Sequence, residues 1–264
     1  MRIRQHAALG LAATACLVLS GCTNAADWNA DRSSQIHSFD TSSIQAQPDI
    51  IAKLPQGALE DGVLDVAAST DYAPAEFLDP SGRAVGYDID LTNAIAAVLG
   101  VKGKVHTAEF DSIMASIGSK YDAGISSFTV TPERIAEVNM TAYINVGSRF
   151  NVQAGNPKGV ETSDHLKLCG RNIGVQVGTA QETTMRDAAE KCAKEGKAVL
   201  SVRSYSKQSE ATTGLVGGTI DATYSDSTVA GYAVELTDGQ IVTLGDIEDA
   251  APQGVVTAKA DPQF

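Results

Sequence analysis

The chain has 264 residues, with 20 Lys and Arg against 32 Asp and Glu, a formal net charge of −12, and 43% hydrophobic residues. That charge argues against nucleic acid and anionic lipid surfaces as partners, because both repel an acidic protein. The four histidines and four cysteines show no clustering of the kind a metal site needs, so neither a metal nor a cofactor is expected.

Met1-Arg2-Ile3-Arg4 is a short basic region, and an apolar run from Ala7 to Leu19 follows it. The run is shorter than the ~20 residues a bilayer-spanning helix needs, so residues 1–21 read as a signal peptide. Its end, Leu19-Ser20-Gly21-Cys22, resembles the bacterial lipobox. That resemblance implies cleavage before Cys22 and attachment of a lipid anchor to it. Losing the signal removes two arginines and no acids, which takes the net charge from −12 to −14. Cys16 leaves with the signal and Cys22 carries lipid, so Cys169 and Cys192 remain. Two cysteines in an exported domain suggest one disulfide. A metal pair is the alternative, but no His is near either cysteine in the sequence. Residues 22–61, rich in Ser, Asp, Asn, Gln and Ala, read as a flexible tether. Only Asp49 to Leu54 carries a weak helical pattern.

The globular part begins at Gly62. Its length, about 200 residues, suits two small lobes or one larger domain. Val63 to Ala67 reads as a buried strand leading into a polar loop, 68–77, with Ser69, Thr70, Asp71, Tyr72 and Glu76. After the turn Pro80-Ser81-Gly82-Arg83 and a short strand at Val85-Gly86-Tyr87, Asp90 is expected to cap a helix. That helix shows Leu91, Ala94, Ile95 and Val98 on one face and Gly100 just past its end. Val105 to Ala108 is a strand, Phe110 to Ile117 a short helix, and Ala123 to Ser126 another strand. The stretch Ile125 to Arg134 then forms a turn of hydroxyl residues and a helix start. Thr131 suits the N-cap and Pro132 the first helical position, where its missing N–H costs nothing. A strand end with free N–H groups, several hydroxyls and Arg134 suits a small anion, and a guanidinium matches a carboxylate at two points.

The second half repeats this plan. Arg171 to Val177 is a strand, and Thr179-Ala180-Gln181-Glu182 is a capping box opening a helix that runs to about Lys194. Val199 to Val202 is a strand and Glu210 to Val216 a helix. The strand Ile220 to Tyr224 delivers Asp226, which serves either to cap the next helix or to meet an ammonium group. Alternating strands and helices mean parallel sheets flanked by helices, with ligands beyond the carboxyl ends of the strands.

Several motifs occur in one order: Gly86-Tyr87-Asp88-Ile89-Asp90-Leu91, Lys120-Tyr121-Asp122-Ala123, Ser126-Ser127-Phe128-Thr129 with Thr131-Pro132-Glu133-Arg134, Val177-Gly178-Thr179 and Gly218-Thr219-Ile220-Asp221-Ala222. Together they resemble the extracellular solute-binding proteins of family 3, the receptors of polar amino acid ABC importers, from about residue 62 onward. The resemblance implies an α/β, two-lobed periplasmic-binding-protein-like fold of type II, each lobe a sheet flanked by helices. Lobe 1 would be 62–150 plus 251–264, and lobe 2 would be 151–250. It also implies a site for a free amino acid, an ABC permease as partner, and a membrane-anchored, extracytoplasmic location. Arg134 would bind the α-carboxylate with Ser127 and Thr129, and Thr179 would reach it from lobe 2. Asp226 would bind the α-ammonium, Ser126 would add an acceptor, and Tyr72 and Phe128 would wall the pocket. Cys169 and Cys192 look like those of a disulfide-bearing branch.

The chain departs from the family at two places. Basic-amino-acid receptors carry Asp where Ser69 stands. Family members also continue with further helices past the segment resembling Gly254 to Lys259, whereas this chain stops at Phe264. The expectation is a C-terminally truncated product of lower stability than a full-length relative, since apolar area is worth ~25 cal/mol per Å². Two competing readings are an enzyme resembling the cyclohexadienyl dehydratases, for which no His is placed in the cleft, and a sensory amino-acid-binding module.

Overall fold

The computed structural model describes residues 38–261 and 264. The expected signal peptide, Cys22 and residues 22–37 of the expected tether lie outside the described residues. A 3₁₀ turn at Thr41–Ser43 and helix α1 at Pro48–Ile51 come first. They are docked on the rest of the chain: the Phe39 N–H donates to Asp90 Oδ2 at 2.8 Å, and the Gln47 N–H to the Val98 carbonyl at 2.8 Å. Residues 38–61 therefore belong to the surface of the first lobe and do not hang free as a tether.

The first lobe carries β1 (Val63–Ala68), the hairpin strands β2 (Asp71–Tyr72), β3 (Glu76–Leu78) and β4 (Ala84–Val85), and α2 (Tyr87–Val98). It continues with β5 (Lys102–Thr107), α3 (Phe110–Ser116), β6 (Ala123–Gly124) and α4 (Pro132–Glu137). The long strand β7 (Val138–Gln153) leads out of it. The second lobe holds β8 (Asn172–Gln176), α5 (Ala180–Lys194), β9 (Ser201–Tyr205), α6 (Gln208–Val216), β10 (Ala222–Asp226) and α7 (Ser227–Leu236). A second long strand, β11 (Ile241–Ala258), returns to the first lobe. Among the described residues, no helix is long and apolar enough to cross a membrane.

The main sheet runs β5-β1-β6-β11-β7-β10-β8-β9. Strand β1 pairs in parallel with β5 and β6, and β8 with β9 and β10, as the βαβ pattern requires. Where each lobe was expected to have its own sheet, the two are continuous, because β7 and β11 pair with each other and with both halves. Their ladder slips in register between Leu244 and Glu248, Glu248 and Ala251, and Gln253 and Gly254. These irregularities fall midway, where the chain passes from one lobe to the other. Gly147 lies there, and a Cβ on it would stand 2.6 Å from the Glu248 carbonyl oxygen. Ser148 to Asn151 already pair with β10, so the passage into the second lobe comes just before residue 150.

Each lobe has its own core. Val66, Ala123 and Ile125 pack on one face of the first-lobe strands, and Ile113, Phe128 and Val256 on the other. The second-lobe core gathers Phe150, Ile173, Val175, Met185, Leu200 and Tyr224. Cys169 and Cys192 in that core are joined by a disulfide, linking the end of the 3₁₀ turn His165–Leu168 to α5.

One helix start differs from its expected place. α2 begins at Tyr87, with Gly86 as its N-cap, and its buried face carries Asp88, Ile89, Thr92 and Ala96. Asp90 is left in the first turn, accepting from Phe39. The cause is Gly86 at φ 119°, where a Cβ would collide with the Ala75 carbonyl. Only glycine lets α2 start against β3, with the Asp88 N–H donating to Ala75 O at 2.9 Å. Gly86→Ala is expected to cost at least ~1–3 kcal/mol, from the strained φ alone. Denaturant unfolding of the two proteins measures it.

Candidate functional site

Helix α4 starts at Thr131, whose side chain accepts from the Arg134 N–H at 3.3 Å. Pro132 follows in the first turn. This short, well-capped helix aims Arg134 into the cleft between the lobes, where it is only 7% exposed. Arg134 Nη1 donates to the Thr129 carbonyl at 2.8 Å, and Nη2 donates across the cleft to the Gly178 carbonyl at 2.9 Å. Its guanidinium lies 5.6 Å from the ring centres of both Phe110 and Phe128. Those two rings stack on each other. Burial pushes the guanidinium below its ordinary pKa, and the charge of Asp226 opposes that shift. Carbonyls and rings are the partners found here, so among the described residues no counter-charge is in contact with the cation.

Asp226 ends β10 and is 4% exposed. It occupies the N-cap position of α7 but makes no capping hydrogen bond. Instead Oδ1 accepts from Gln181 Nε2 at 2.8 Å and Oδ2 from Gln253 Nε2 at 2.7 Å. Its N–H donates to Tyr72 Oη of the other lobe at 3.2 Å. Burial raises the carboxyl to about 6 despite these donors.

A narrow cavity of about 10 Å³, room for a single water, lies between the lobes. Tyr72, Phe110, Ser127, Thr129 and Arg134 line it from the first lobe, and Thr179, Ala180, Gln181 and Asp226 from the second. Thr179 caps α5, accepting from the Glu182 N–H at 3.1 Å and donating to Gln176 O at 2.8 Å. Glu182 accepts from Gly178 N–H at 2.7 Å, one residue earlier than a standard capping box. The first turn of α5 therefore opens onto the cavity wall, a natural seat for an anion.

The structure brings Arg134, Asp226, Thr179, Thr129, Ser127 and Tyr72 to this one cavity. Two expected residues stand elsewhere. Phe128 is fully buried in the first-lobe core, below Arg134, and the ring that reaches the cavity is that of Phe110. Ser126 points away, donating to Glu76 Oε1 at 2.6 Å and accepting from the Ser69 N–H at 2.9 Å. Ser127 lines the cavity, but its N–H and hydroxyl both donate to Asp88 Oδ2, at 2.8 and 3.2 Å, so its expected N–H donor is already engaged. The cause is the φ of +49° at Ser127, which turns the loop and interchanges which residues face in.

Behind this loop lies an acidic pair. Glu76 is fully buried; burial first, and then the charge of Asp88, push its carboxyl well above the ordinary range. Asp88, whose own carboxyl burial also raises, accepts from Tyr143 Oη at 2.7 Å. Residues missed from the sequence are thus Phe110, Gln181 and Gln253, along with the proximity of Glu76 to Asp88. Gln181 alone had a signal, as a polar residue in a first helical turn at a strand end. Among the described residues, no group of three or more His, Cys, Asp and Glu is arranged to hold a metal.

A closed two-lobed cleft with an uncompensated guanidinium facing a carboxylate defines a binding protein for a small dipolar solute. The sequence profile of the bacterial extracellular solute-binding proteins, family 3, matches residues 64–235. The arginine-binding protein ArgT of Corynebacterium glutamicum is 32% identical over 251 residues, covering 94% of this chain and 79% of its own. An ancestral arginine-binding protein solved with arginine superposes with a TM-score of 0.69 at 30% identity, covering 76% of this chain and 86% of that one. AncCDT-1, an ancestral amino acid-binding protein described as a precursor of cyclohexadienyl dehydratase, gives 0.68 at 30% identity, over 78% and 86%. The chain belongs to the family 3 extracellular solute-binding proteins, and its fold is theirs.

The raised carboxyl of Asp226 has a pH signature. Its folded value, about 6, lies above the ordinary 3.8, so its contribution to stability is complete below pH ~4 and is lost as pH rises through 6. Without ligand, Asp226→Asn is expected to be more stable than wild type above pH 6, by up to ~2–3 kcal/mol, with the gap closing toward pH 4. Thermal unfolding at several pH values checks this. A gap that stays constant with pH would show that charge burial is not its cause.

Proposed function

We propose that this protein is the receptor of an ABC importer, capturing a free amino acid in the interlobe cleft and passing it to a membrane permease. The observation that carries this reading is the pairing of Arg134 and Asp226 in one closed cavity. Arg134 has its carbonyl contacts but no anion, and a ligand carboxylate supplies one in two-point geometry. The first turn of α5, at Thr179 and Ala180, offers a second seat for that carboxylate from the other lobe. Asp226 takes the ammonium, held in aim by Gln181 and Gln253. Tyr72 and Phe110 flank the side chain. Family membership, and relatives named for arginine binding, support this reading.

The cavity of about 10 Å³ holds no more than a water, so a ligand enters only as the lobes part. Arginine, from the names of the relatives, and the small uncharged amino acids are the first probes. A lipid on Cys22 would hold the receptor outside the cytoplasm, at the membrane where its permease works. The dehydratase reading is weaker, because Glu76 lies behind Ser126 and both oxygens of Asp226 already accept amide donors. Neither acid is poised as a free proton shuttle.

A thermal-shift screen of the mature protein against the common amino acids tests the receptor reading. Binding adds stability by mass action, so a micromolar ligand raises the melting point clearly at millimolar concentration. Arg134→Ala is expected to weaken the responding ligand by at least ~30-fold, since it removes one partner of a buried charge pair. A cooperative melt that no amino acid shifts would overturn the reading.

A further inference from the structure

Two buried side-chain oxygens beside the cleft have no hydrogen-bond partner: Asp71 Oδ2 on β2 and Gln208 Oε1 in the first turn of α6. They belong to opposite lobes, and β2 packs against α6 where the lobes meet. The other Asp71 oxygen, Oδ1, accepts from the Ser69 hydroxyl at 3.0 Å. Ser69 Oγ in turn accepts across the cleft from Gln176 Nε2 at 3.2 Å. The same amide donates to the carbonyl of Ser206, two residues before Gln208, at 3.2 Å. This group borders the ligand cavity on both lobes. The Ser69 N–H donates to Ser126, the neighbour of cavity-lining Ser127. The Gln176 carbonyl accepts from cavity-lining Thr179 at 2.8 Å. A buried acceptor without a donor is costly, and a carboxylate oxygen more so. Burial raises the Asp71 carboxyl to about 6, which leaves it ionised at neutral pH. Lys207, exposed at the start of α6, attracts it without bonding to it.

We propose that Asp71 and Gln208 form a subsite for the cationic end of the ligand's side chain, so that the receptor selects basic amino acids. This rests on the receptor reading above and names the ligand class within it. With the α-carboxylate on Arg134 and the α-ammonium on Asp226, the side chain has to leave past the residues that border the cavity. Ser69 and Gln176 are two of these, and the unpartnered oxygens stand beyond them. Without ligand, Ser69 and Gln176 close that wall by bonding each other, and the bond breaks when the lobes part. A guanidinium that enters then meets a carboxylate oxygen from one lobe and an amide oxygen from the other. It carries five N–H donors and no acceptor, so it satisfies both at once. A neutral side chain of the same length leaves the Asp71 charge buried and uncompensated, and selection works through that penalty. Because the two oxygens come from different lobes, the cationic end is gripped only as the cleft closes.

Arginine and citrulline test the subsite, since they differ only in a charged guanidinium against a neutral urea of the same length. Calorimetry gives the dissociation constants for the full mature protein, Asp71→Asn and Asp71→Ala. Wild type is expected to hold arginine at least ~30-fold tighter than citrulline. Both variants are expected to weaken arginine by a similar factor and to leave citrulline within about threefold, so the preference collapses. Ligand-free melting points of the variants are expected to stay at or above that of wild type, because a buried charge is removed. Equal affinities in wild type, or an arginine preference kept in both variants, would overturn the subsite and leave water as the partner of the two oxygens. Weakening of both ligands alike would give Asp71 a structural role and overturn it too. Selective binding of a neutral amino acid, with no response to arginine, overturns the subsite while the receptor reading stands. If no amino acid binds at all, the receptor reading fails and the subsite falls with it.

Discussion

A guanidinium buried without a counter-ion is the constraint around which this molecule is arranged. Moving a lone charge out of water is expensive unless hydrogen bonds and an opposite charge compensate it. Arg134 donates hydrogen bonds to one carbonyl from each lobe and has two aromatic faces beneath it. Asp226 acts on it from a distance without touching it. Closure around Arg134 is therefore incomplete until an anion arrives, and a ligand carboxylate is the group whose shape suits the fork. A ligand that supplies that carboxylate and also an ammonium neutralises both ends of the cavity at once.

The acid at the far end is treated differently from the base. Asp226 accepts from two neutral amides, one on α5 and one on β11. Neutral donors hold the carboxylate in place without cancelling its charge, which leaves it attractive to an ammonium. A lysine or arginine in place of either glutamine would neutralise the site permanently. Gln181 and Gln253 also tie Asp226 to a second-lobe helix and to a crossover strand, so its aim depends on how the lobes meet. Behind Ser127, the buried acids Glu76 and Asp88 fix the Ser126–Ser127 turn, to which Tyr143 on β7 connects the hinge.

Much of this was legible in the sequence where chemistry and spacing coincide. Thr131 and Pro132 mark a helix start, and Arg134 follows in the first turn, where it faces the cleft. Asp226 was legible as a strand-end acid, although its capping role gave way to the two glutamines. The turn at Ser126–Phe128 was misread because hydrophobicity says nothing about a left-handed φ at Ser127. That single torsion sends Phe128 into the core and Ser126 toward Glu76, leaving Phe110 to reach the cavity. The start of α2 was misplaced for a related reason. Asp90 has the composition of a cap, but Gly86 has the backbone freedom that lets the chain approach Ala75. Amide residues such as Gln253 carry no sequence signature at all, since their role depends on a partner brought close only by the fold.

Affinity in a two-lobed receptor is the product of local contacts and of the fraction of molecules able to close. Contacts that span the cleft without meeting the ligand act on the second factor alone. Here they include Phe77 against Tyr232, Val229 against Ala75, and Tyr87 Oη at 3.4 Å from Thr228 Oγ1. All lie where the β2–β3–β4 hairpin meets α7. Strengthening them would tighten every ligand alike and slow release to the permease. In the proposed receptor, changing Arg134 or Asp226 would instead alter which ligand is held. The Tyr72 hydroxyl falls in neither class, because it lines the cavity and also accepts the Asp226 N–H from the other lobe. In the proposed receptor, recognition and closure are thus coupled most directly at Tyr72, which among the described residues lines the cavity from the first lobe and accepts the Asp226 N–H.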